Sequence, residues 1–526
     1  MTTYRDITGP HAASHAQLQS RMRSRLGRRH GALALGVTMA ALVAACSNPT
    51  VPNFNALNGF PHTAAALQSE VTGAFDGVRT DIGNYNLFME GMARNSAYFT
   101  ASEQRFVSVT TGESFAGPGD VFMGPGVWDF YFNAIEGIDT IIGNVGAITV
   151  TTPSGSGPMP AAQREALFGA METLKAMYYM YIAQTRDTLG VPINEVGRPA
   201  SQPVAPILCN KDVWSQIVAM LDSASDSLTV AGASATFPFT MPPGFALVSA
   251  NAGSFLGLTR ALRGKARIEF AYSTGRPTDT LTVGTPNLSQ IDSAVTDITG
   301  AAPIFSSALS SSEAVAANDL GVFHVFSTTS NDVQNPINTN AAAMWVLFDA
   351  LNDIDTTDLR FTAKFGEGAG PTSVGADIGS TWHYVNNISG SEPIPLVRNV
   401  ELQLLLARAH LALGDFATAI ALANAVRTNV GGLPAATVSA DYVHARNFIL
   451  AEQRVSTMSE ALGDRLDALR DLNLVKARDT TWSATGGPDG NAAHLAGVNK
   501  DFQTSVVAIP QGESDARNGS IAPQCQ

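Results

Sequence analysis

The sequence predicts a mainly α-helical protein in which antiparallel helix pairs stack into a superhelix beside a loop-rich subdomain. Apolar residues recur every three or four positions through most of residues 63–300 and 391–472, as they do in amphipathic helices. Between these regions, residues 301–390 are rich in Gly, Ser, Asn, Asp and Thr, and the helical period weakens. Hydrophobic residues make up 45% of the chain, which is enough to build a buried core.

The N-terminal segment predicts a lipoprotein signal peptide over residues 1–45. Six arginines and one acidic residue precede an uncharged run, GALALGVTMAALVAA, that ends directly before Cys46. A basic start followed by a short apolar segment is typical of a secretory signal, and the run is shorter than the about 20 residues that cross a bilayer. The letters LVAAC resemble a bacterial lipobox, which implies that Cys46 receives a diacylglycerol and begins the mature chain. An ordinary cleaved signal with an incidental Cys46 is the alternative.

The composition after the signal excludes some classes of partner. Residues 46–526 contain 26 basic and 44 acidic residues, a net charge of −18, so net charge does not attract the protein to nucleic acid or anionic lipid. The two other cysteines, Cys209 and Cys525, form either a disulfide in an oxidising compartment or two free thiols. Since no Cys or His cluster has the spacing of metal ligands, we expect no metal or cofactor.

The elements of the N-terminal helical region follow in order. Residues 46–62 are rich in Pro and Asn and predict a lipidated tether. Helical patterning begins near Thr63, and an apolar stripe from Trp128 through Ile142 predicts a buried helix. Residues 149–160, TVTTPSGSGPMP, predict a linker. Further helices are predicted at 161–187, at 212–229 with Asp212 as the cap, at 254–272 and at 289–299.

The C-terminal region, residues 391–526, carries the clearest repeat. Helices are predicted at 396–413, 416–427 and 442–472, before a tail with one strand at 505–509. Gly414 ends the first helix and Asp415 caps the second. The inner face of the second helix is formed by Phe416, Ala419, Ile420, Ala423 and Val426. The segment LARAHLALGDFATAIALANAVR resembles a tetratricopeptide repeat, which buries its apolar face by stacking; a generic helical hairpin is the alternative.

Several segments occur in a characteristic order along the chain. They are the Cys46 lipobox, Trp128 with Tyr131 and Asn144, LGVPI at 189–193, Asp358-Leu359-Arg360, Arg398 with Glu401, LAEQRVSTMSEALGDRLDALR at 450–470, and Ile509-Pro510 with Glu513 and Asn518. This order resembles the SusD/RagB family of outer-membrane nutrient-binding lipoproteins, most strongly between Glu452 and Arg470. The family usually has Ala-Glu-Ala where this chain has Ala407-Arg408-Ala409.

The resemblance implies a fold, a location and a partner. It implies tetratricopeptide-type helix pairs under a loop-rich, ligand-facing subdomain, on the outer face of the outer membrane. It also implies capture of a glycan or oligosaccharide, or of a peptide, and delivery to a TonB-dependent, SusC-like transporter. Two other classes stay open at this point, a periplasm-facing tetratricopeptide-type scaffold lipoprotein and a surface hydrolase.

A sugar-binding surface needs aromatic faces for the apolar sides of the rings and polar groups for the hydroxyls. We predict this site in GSTWHYVNN, interpreted as a loop, with Trp382, His383, Tyr384, Asn386 and Asn387 as ligand-binding residues. Packing of this segment onto the helices is the alternative. Three other tryptophans lie in apolar stripes or runs and are expected in the core, namely Trp128, Trp214 and Trp345.

Catalytic signatures are absent from the sequence. There is no HExxH, no Walker loop and no G-x-S-x-G elbow, so we expect no catalytic residue and no enzyme. The charged residues between Glu452 and Arg470 are interpreted as buried or half-buried ion pairs between helices. A calcium site at Asp353, Asp355 and Asp358 is a weaker alternative, because the glycine and terminal glutamate of an EF-hand loop are missing.

Overall fold

The structure, a computed structural model, confirms the mainly helical fold. It describes residues 62–93, 95–98, 126–152, 155–193, 205–277, 281–329, 332–337, 344–346, 348–351, 354–368, 381–385, 390–460, 464–474 and 506–524. The signal peptide, Cys46 and nearly all of the tether lie outside these residues. Within the described ranges, every helix is too short or too polar to cross a bilayer.

The helices of the N-terminal region match the predicted order. The described helices are α1 (Ala64–Asp76), α2 (Ile82–Met92), α3 (Gly126–Asn144), α4 (Ala161–Arg186), α5 (Asn210–Ala231), α6 (Ala252–Ser273) and α7 (Leu288–Thr299). Local sequence explains their starts, because the Thr63 and Asn251 side chains accept hydrogen bonds from the first turns of α1 and α6. The prediction that Asp212 caps α5 was wrong. The helix already begins at Asn210, so Asp212 lies in its first turn.

The remaining helices are α8 (Phe348–Leu351), α9 (Leu359–Thr362), α10 (Asn399–Ala412), α11 (Phe416–Ala425), α12 (Tyr442–Thr457), α13 (Asp464–Asp471) and α14 (Gln511–Ala516). The predicted helix at 442–472 is therefore two helices, α12 and α13. The helix predicted from residue 396 begins only at Asn399, because Ile394–Arg398 is a strand. A π-helical turn, Val426–Val430, extends α11.

The helices stack in chain order. α3 packs on α4, α4 on α5, α5 on α6, α6 on α7, and α7 on α10, which also packs on α11 and α12. Close approach depends on glycine at two crossings, since a Cβ at Gly169 would lie 2.6 Å from Leu228 and one at Gly264 would lie 2.6 Å from Ile298. This arrangement is the predicted superhelix of helix pairs.

The predicted repeat is a buried helix pair. On the inner face of α11, Ala419 and Ala423 are fully buried and join a core cluster that includes Leu404 of α10 and Ile449 of α12. Phe416 and Ile420 pack against this cluster while half-buried. Trp128, Trp214 and Trp345 are each less than 10% exposed, which confirms their assignment to the core.

Short strands complete the fold. They are β1 (Ser96–Tyr98), β2 (Thr149–Thr152), β3 (Gly155–Pro158), β4 (Val191–Pro192), β5 (Ile207–Leu208), β6 (Gly321–His324), β7 (Met344–Val346), β8 (Phe365–Glu367), β9 (Trp382–Tyr384) and β10 (Ile394–Arg398). β2 and β3 form an antiparallel hairpin where a linker was predicted at 149–160. Residues 506–510, which include most of the predicted strand at 505–509, are not in a strand.

Candidate functional site

The candidate ligand-binding segment lies in a four-stranded sheet of order β1-β7-β9-β8. β9 pairs antiparallel with β8 along its whole length and with β7 at His383. The prediction that Trp382, His383 and Tyr384 lie on a loop was therefore wrong, because neighbouring strands fix the backbone of all three. Asn386 and Asn387 lie outside the described residues.

Strand geometry divides the three aromatic residues between two faces. Successive side chains of a strand point to opposite sides, so Trp382 and Tyr384 share one face and His383 lies on the other. Tyr384 is 2% exposed and packs edge-on against Phe365, with 5.4 Å between ring centroids. Tyr384 is thus a packing residue, which is the alternative stated for this segment.

Trp382 is partly exposed and firmly supported. Its indole packs edge-on against the buried ring of Phe361, with centroids 5.0 Å apart. Directly across the strand pair lies Glu367, whose exposed carboxylate accepts a hydrogen bond of 3.3 Å from the Thr381 hydroxyl. Because cross-strand partners share a face of the sheet, an aromatic surface and a carboxylate oxygen acceptor stand side by side. Sequence reasoning missed Glu367, which no motif marks.

His383 belongs to the opposite face of the sheet. Its ring lies 5.2 Å from that of Trp345, its partner on β7. Gly368 permits this position, since a Cβ there would lie 2.7 Å from His383 Nδ1. The structure therefore brings Trp382 and His383 onto one strand but not onto one binding face.

Buried charges hold the sheet against the C-terminal helices. Arg360, next to Phe361 on α9, is 1% exposed and contacts Asp358 at 2.5 Å and Glu452 at 2.6 Å. Lys364, just before β8, lies 2.6 Å from Glu460. Burial lowers the pKa of Lys364 to about 8, against the opposing effect of Glu460. These contacts anchor the segment that carries Phe361 and Glu367.

A third buried base extends this network. Arg398, at the end of β10, donates to Glu460 at 2.7 Å and to Asp319 at 3.1 Å. A further bond of 2.6 Å goes from Arg398 to the carbonyl of Ser456. The predicted ion pairing of the Glu452–Arg470 stretch is confirmed, and its partners come from distant parts of the chain.

A second cluster of ionisable groups lies between α6, α10 and α13. Lys265 contacts the carboxylates of Glu401 and Asp464. Burial raises the pKa of Glu401, and the neighbouring Asp464 raises it further. Burial also raises the pKa of Glu269 and of Asp467 to about 8 each. These groups are enclosed between the helices and face bases or one another.

Arg408 occupies the position where the family motif usually has glutamate. Its guanidinium lies 2.6 Å from Asp471 and 3.5 Å from Glu269, all three groups being nearly fully buried. The positive charge that this departure from the motif introduces is thus balanced by Asp471 and Glu269.

The predicted calcium alternative finds little support. Asp358 accepts hydrogen bonds from Arg360, and Asp355 accepts them from Thr357. Asp353 lies outside the described residues. Among those that are described, no group of three or more His, Cys, Asp or Glu side chains could hold a metal ion.

The C-terminal segment returns to the start of α5. Gln524 donates to the carbonyl of Ile207 at 2.7 Å and accepts from the Cys209 amide at 3.3 Å. Cys209 is disulfide-bonded. Cys525 lies outside the described residues, so its pairing with Cys209 stays a prediction, although its chain neighbour Gln524 lies beside Cys209.

Comparison with known proteins identifies solved structures of similar architecture. No protein-family model matches the sequence, and no curated protein does either. Solved structures do match over nearly their whole length. A SusD superfamily protein from Bacteroides thetaiotaomicron is 14% identical with a TM-score of 0.65, covering 88% of this chain and 99% of its own.

Two further solved structures are similar. A SusD-like carbohydrate-binding protein from Bacteroides vulgatus has 13% identity and a TM-score of 0.58, covering 88% of this chain and 98% of its own. Surface glycan-binding protein A from Bacteroides uniformis has 16% identity and a TM-score of 0.58, covering 86% and 98%. The chain therefore has a SusD/RagB-like fold.

Proposed function

Given this SusD/RagB-like fold, we propose that the protein is a non-catalytic, lipid-anchored binding protein of the outer-membrane surface. It captures a glycan or oligosaccharide and delivers it to a TonB-dependent, SusC-like transporter. The observation that carries the proposal is the structural likeness over 86–88% of the chain to proteins described as carbohydrate-binding or surface glycan-binding. A peptide is the second class of ligand.

The pair of Trp382 and Glu367 supplies what sugar recognition requires. The partly exposed indole offers an apolar face for a pyranose ring, and the adjacent carboxylate accepts hydrogen bonds from its hydroxyls. Support from Phe361 and from the paired strands lowers the entropy lost when a ligand orders the site. Binding and release require only the stacking and hydrogen-bonding contacts of these residues, and no bond of the ligand is broken.

Glycan binding is tested by isothermal titration calorimetry of residues 46–526 with Cys46 replaced by Ser. Trp382→Ala should weaken binding at least about tenfold, because it removes the stacking surface. Phe130→Ala is the matched control, an aromatic residue of α3 that is 42% exposed, and it should leave affinity unchanged. Equal effects of the two substitutions would remove Trp382 from the site. Release of reducing ends from a bound glycan would instead support a hydrolase.

Surface display separates the proposal from the scaffold alternative. A protein on the outer face should be degraded when protease is added to intact cells, whereas a periplasm-facing scaffold should be protected until the outer membrane is opened. Protection in intact cells would contradict delivery from the cell surface.

A further inference from the structure

The region that forms most of the candidate site has a one-sided charge. Residues 277–397 contain thirteen acidic residues and only two basic ones, Arg360 and Lys364. The acidic residues are Asp279, Asp292, Asp297, Glu313, Asp319, Asp332, Asp349, Asp353, Asp355, Asp358, Glu367, Asp377 and Glu392. Three of the four strands of the site sheet come from this region.

Neither base is available to a ligand. Arg360 is 1% exposed and Lys364 is 2% exposed. Arg360 is neutralised by Asp358 and Glu452, and the ammonium of Lys364 faces Glu460 and donates to the carbonyls of Val455 and Ser456. The region therefore presents no lysine or arginine that could pair with an anionic ligand at its surface.

Carboxylates of this region, in contrast, do reach the surface. Glu367 lies directly across from Trp382, and Asp355 is also exposed. Hydrogen bonds from Thr357 lower the pKa of Asp355, so it is ionised at neutral pH. In the described part of the chain the carboxylates of Glu367 and Asp355 bond to threonines and make no ion pair.

We infer that the site selects uncharged glycans and rejects glycans that carry carboxylate or sulfate groups. This inference rests on the proposed function and narrows its ligand class. An anionic sugar stacked on Trp382 would place its charge next to Glu367, and neither base of residues 277–397 is exposed to compensate it. Two like charges about 7 Å apart in water repel by about RT, roughly a threefold change in affinity for each pair. An anionic polymer carries several carboxylates and brings more than one of them near Glu367.

The test compares each neutral polysaccharide with its own oxidised form. Amylopectin, galactomannan and xyloglucan serve as probes, and selective oxidation of their primary hydroxyls to carboxylates leaves each backbone intact. Polygalacturonate is added as a natural polyanion. Calorimetry of the mature chain at about 20 mM NaCl should show that a bound neutral glycan loses at least about tenfold in affinity when oxidised.

Salt and charge variants identify the cause of that loss. At about 0.5 M NaCl the screening length falls to roughly 4 Å, so an electrostatic penalty should shrink severalfold, whereas a lost hydroxyl contact would not respond. Glu367→Gln should reduce the ratio of neutral to oxidised affinity. Asp226→Asn, which removes an exposed carboxylate of α5 outside the region, should leave that ratio unchanged.

The outcomes are distinguishable. Binding of an oxidised glycan or of polygalacturonate as tightly as, or more tightly than, the neutral probes would overturn the inference while the proposed function stands. A penalty for oxidised glycans that does not change with salt or with Glu367→Gln would also overturn it. Failure of neutral and anionic glycans alike to bind would overturn the proposed function and the inference together.

Discussion

Arg398→Met is expected to destabilise the protein strongly, because Arg398 joins three parts of the chain. It ends β10, bonds to Asp319 before β6, and bonds to Glu460 and to the Ser456 carbonyl at the end of α12. Methionine fills much of the same space but cannot donate. The substitution therefore leaves Glu460 with Lys364 and leaves Asp319 with the Val400 amide.

The size of the effect follows from burial. Arg398, Asp319 and Glu460 are each less than 10% exposed, and removal of one partner from a buried ion pair costs about 3–5 kcal/mol. Burial already raises the pKa of Asp319 to about 6, and loss of Arg398 raises it further, so this carboxylate can become protonated. That response limits the cost, and we expect a loss of about 3 kcal/mol in the free energy of unfolding.

Urea denaturation of the mature chain, followed by tryptophan fluorescence, measures this loss. Arg260→Met is the matched control, because the half-buried Arg260 donates to the Gly300 carbonyl and makes no ion pair among the described residues. It should cost about 1 kcal/mol or less. A free energy of unfolding for Arg398→Met within about 1 kcal/mol of that for Arg260→Met would refute the reasoning.

Three further predictions concern the acid cluster and the cysteines. Burial raises the pKa of Glu269 to about 8, so between pH of about 4.5 and about 8 the unfolded chain releases a proton that the native state keeps, and stability falls as pH rises. Glu269→Gln should flatten this fall in urea denaturation at several pH values, and an unchanged slope would contradict the assignment. Cys525→Ser should lower the free energy of unfolding by about 4 kcal/mol if Cys525 closes the long loop from Cys209; two reactive thiols in the unreduced, unfolded protein would disprove the pairing. Cys46→Ser should abolish incorporation of labelled palmitate and release the protein from the membrane fraction, whereas retained label would exclude Cys46 as the lipidated residue.

The helix stack was predictable because its signals are local. The period of apolar residues located α4, α6 and α7 to within two residues at each end. Capping and turn residues, such as Asp415 before α11, act within one turn and can be recognised in the sequence.

The site sheet was not predictable, because its strands are only three residues long and are far apart in the sequence. β1 pairs with β7 across about 250 residues, and no alternation is visible in so short a run. The Trp382 segment was therefore interpreted as a loop. The hairpin at 149–158 was missed for a related reason, since its second strand contains only Gly, Ser and Pro.

The buried ion pairs illustrate a further limit. The charge pattern between Glu452 and Arg470 indicated ion pairs but not their partners. Lys265 and Asp464 are 199 residues apart in the sequence, and only the folded chain brings them together. The same holds for Glu367 and Trp382, whose relation depends on strand register.

The most direct test of the proposed uptake role is co-purification of the tagged, lipidated protein from gently solubilised outer membrane. Recovery of a large TonB-dependent barrel in near-equal amount is the expected result, and it would direct the search for ligands to the sheet around Trp382. Recovery of periplasmic or assembly proteins without a barrel would contradict delivery to a transporter and favour the scaffold.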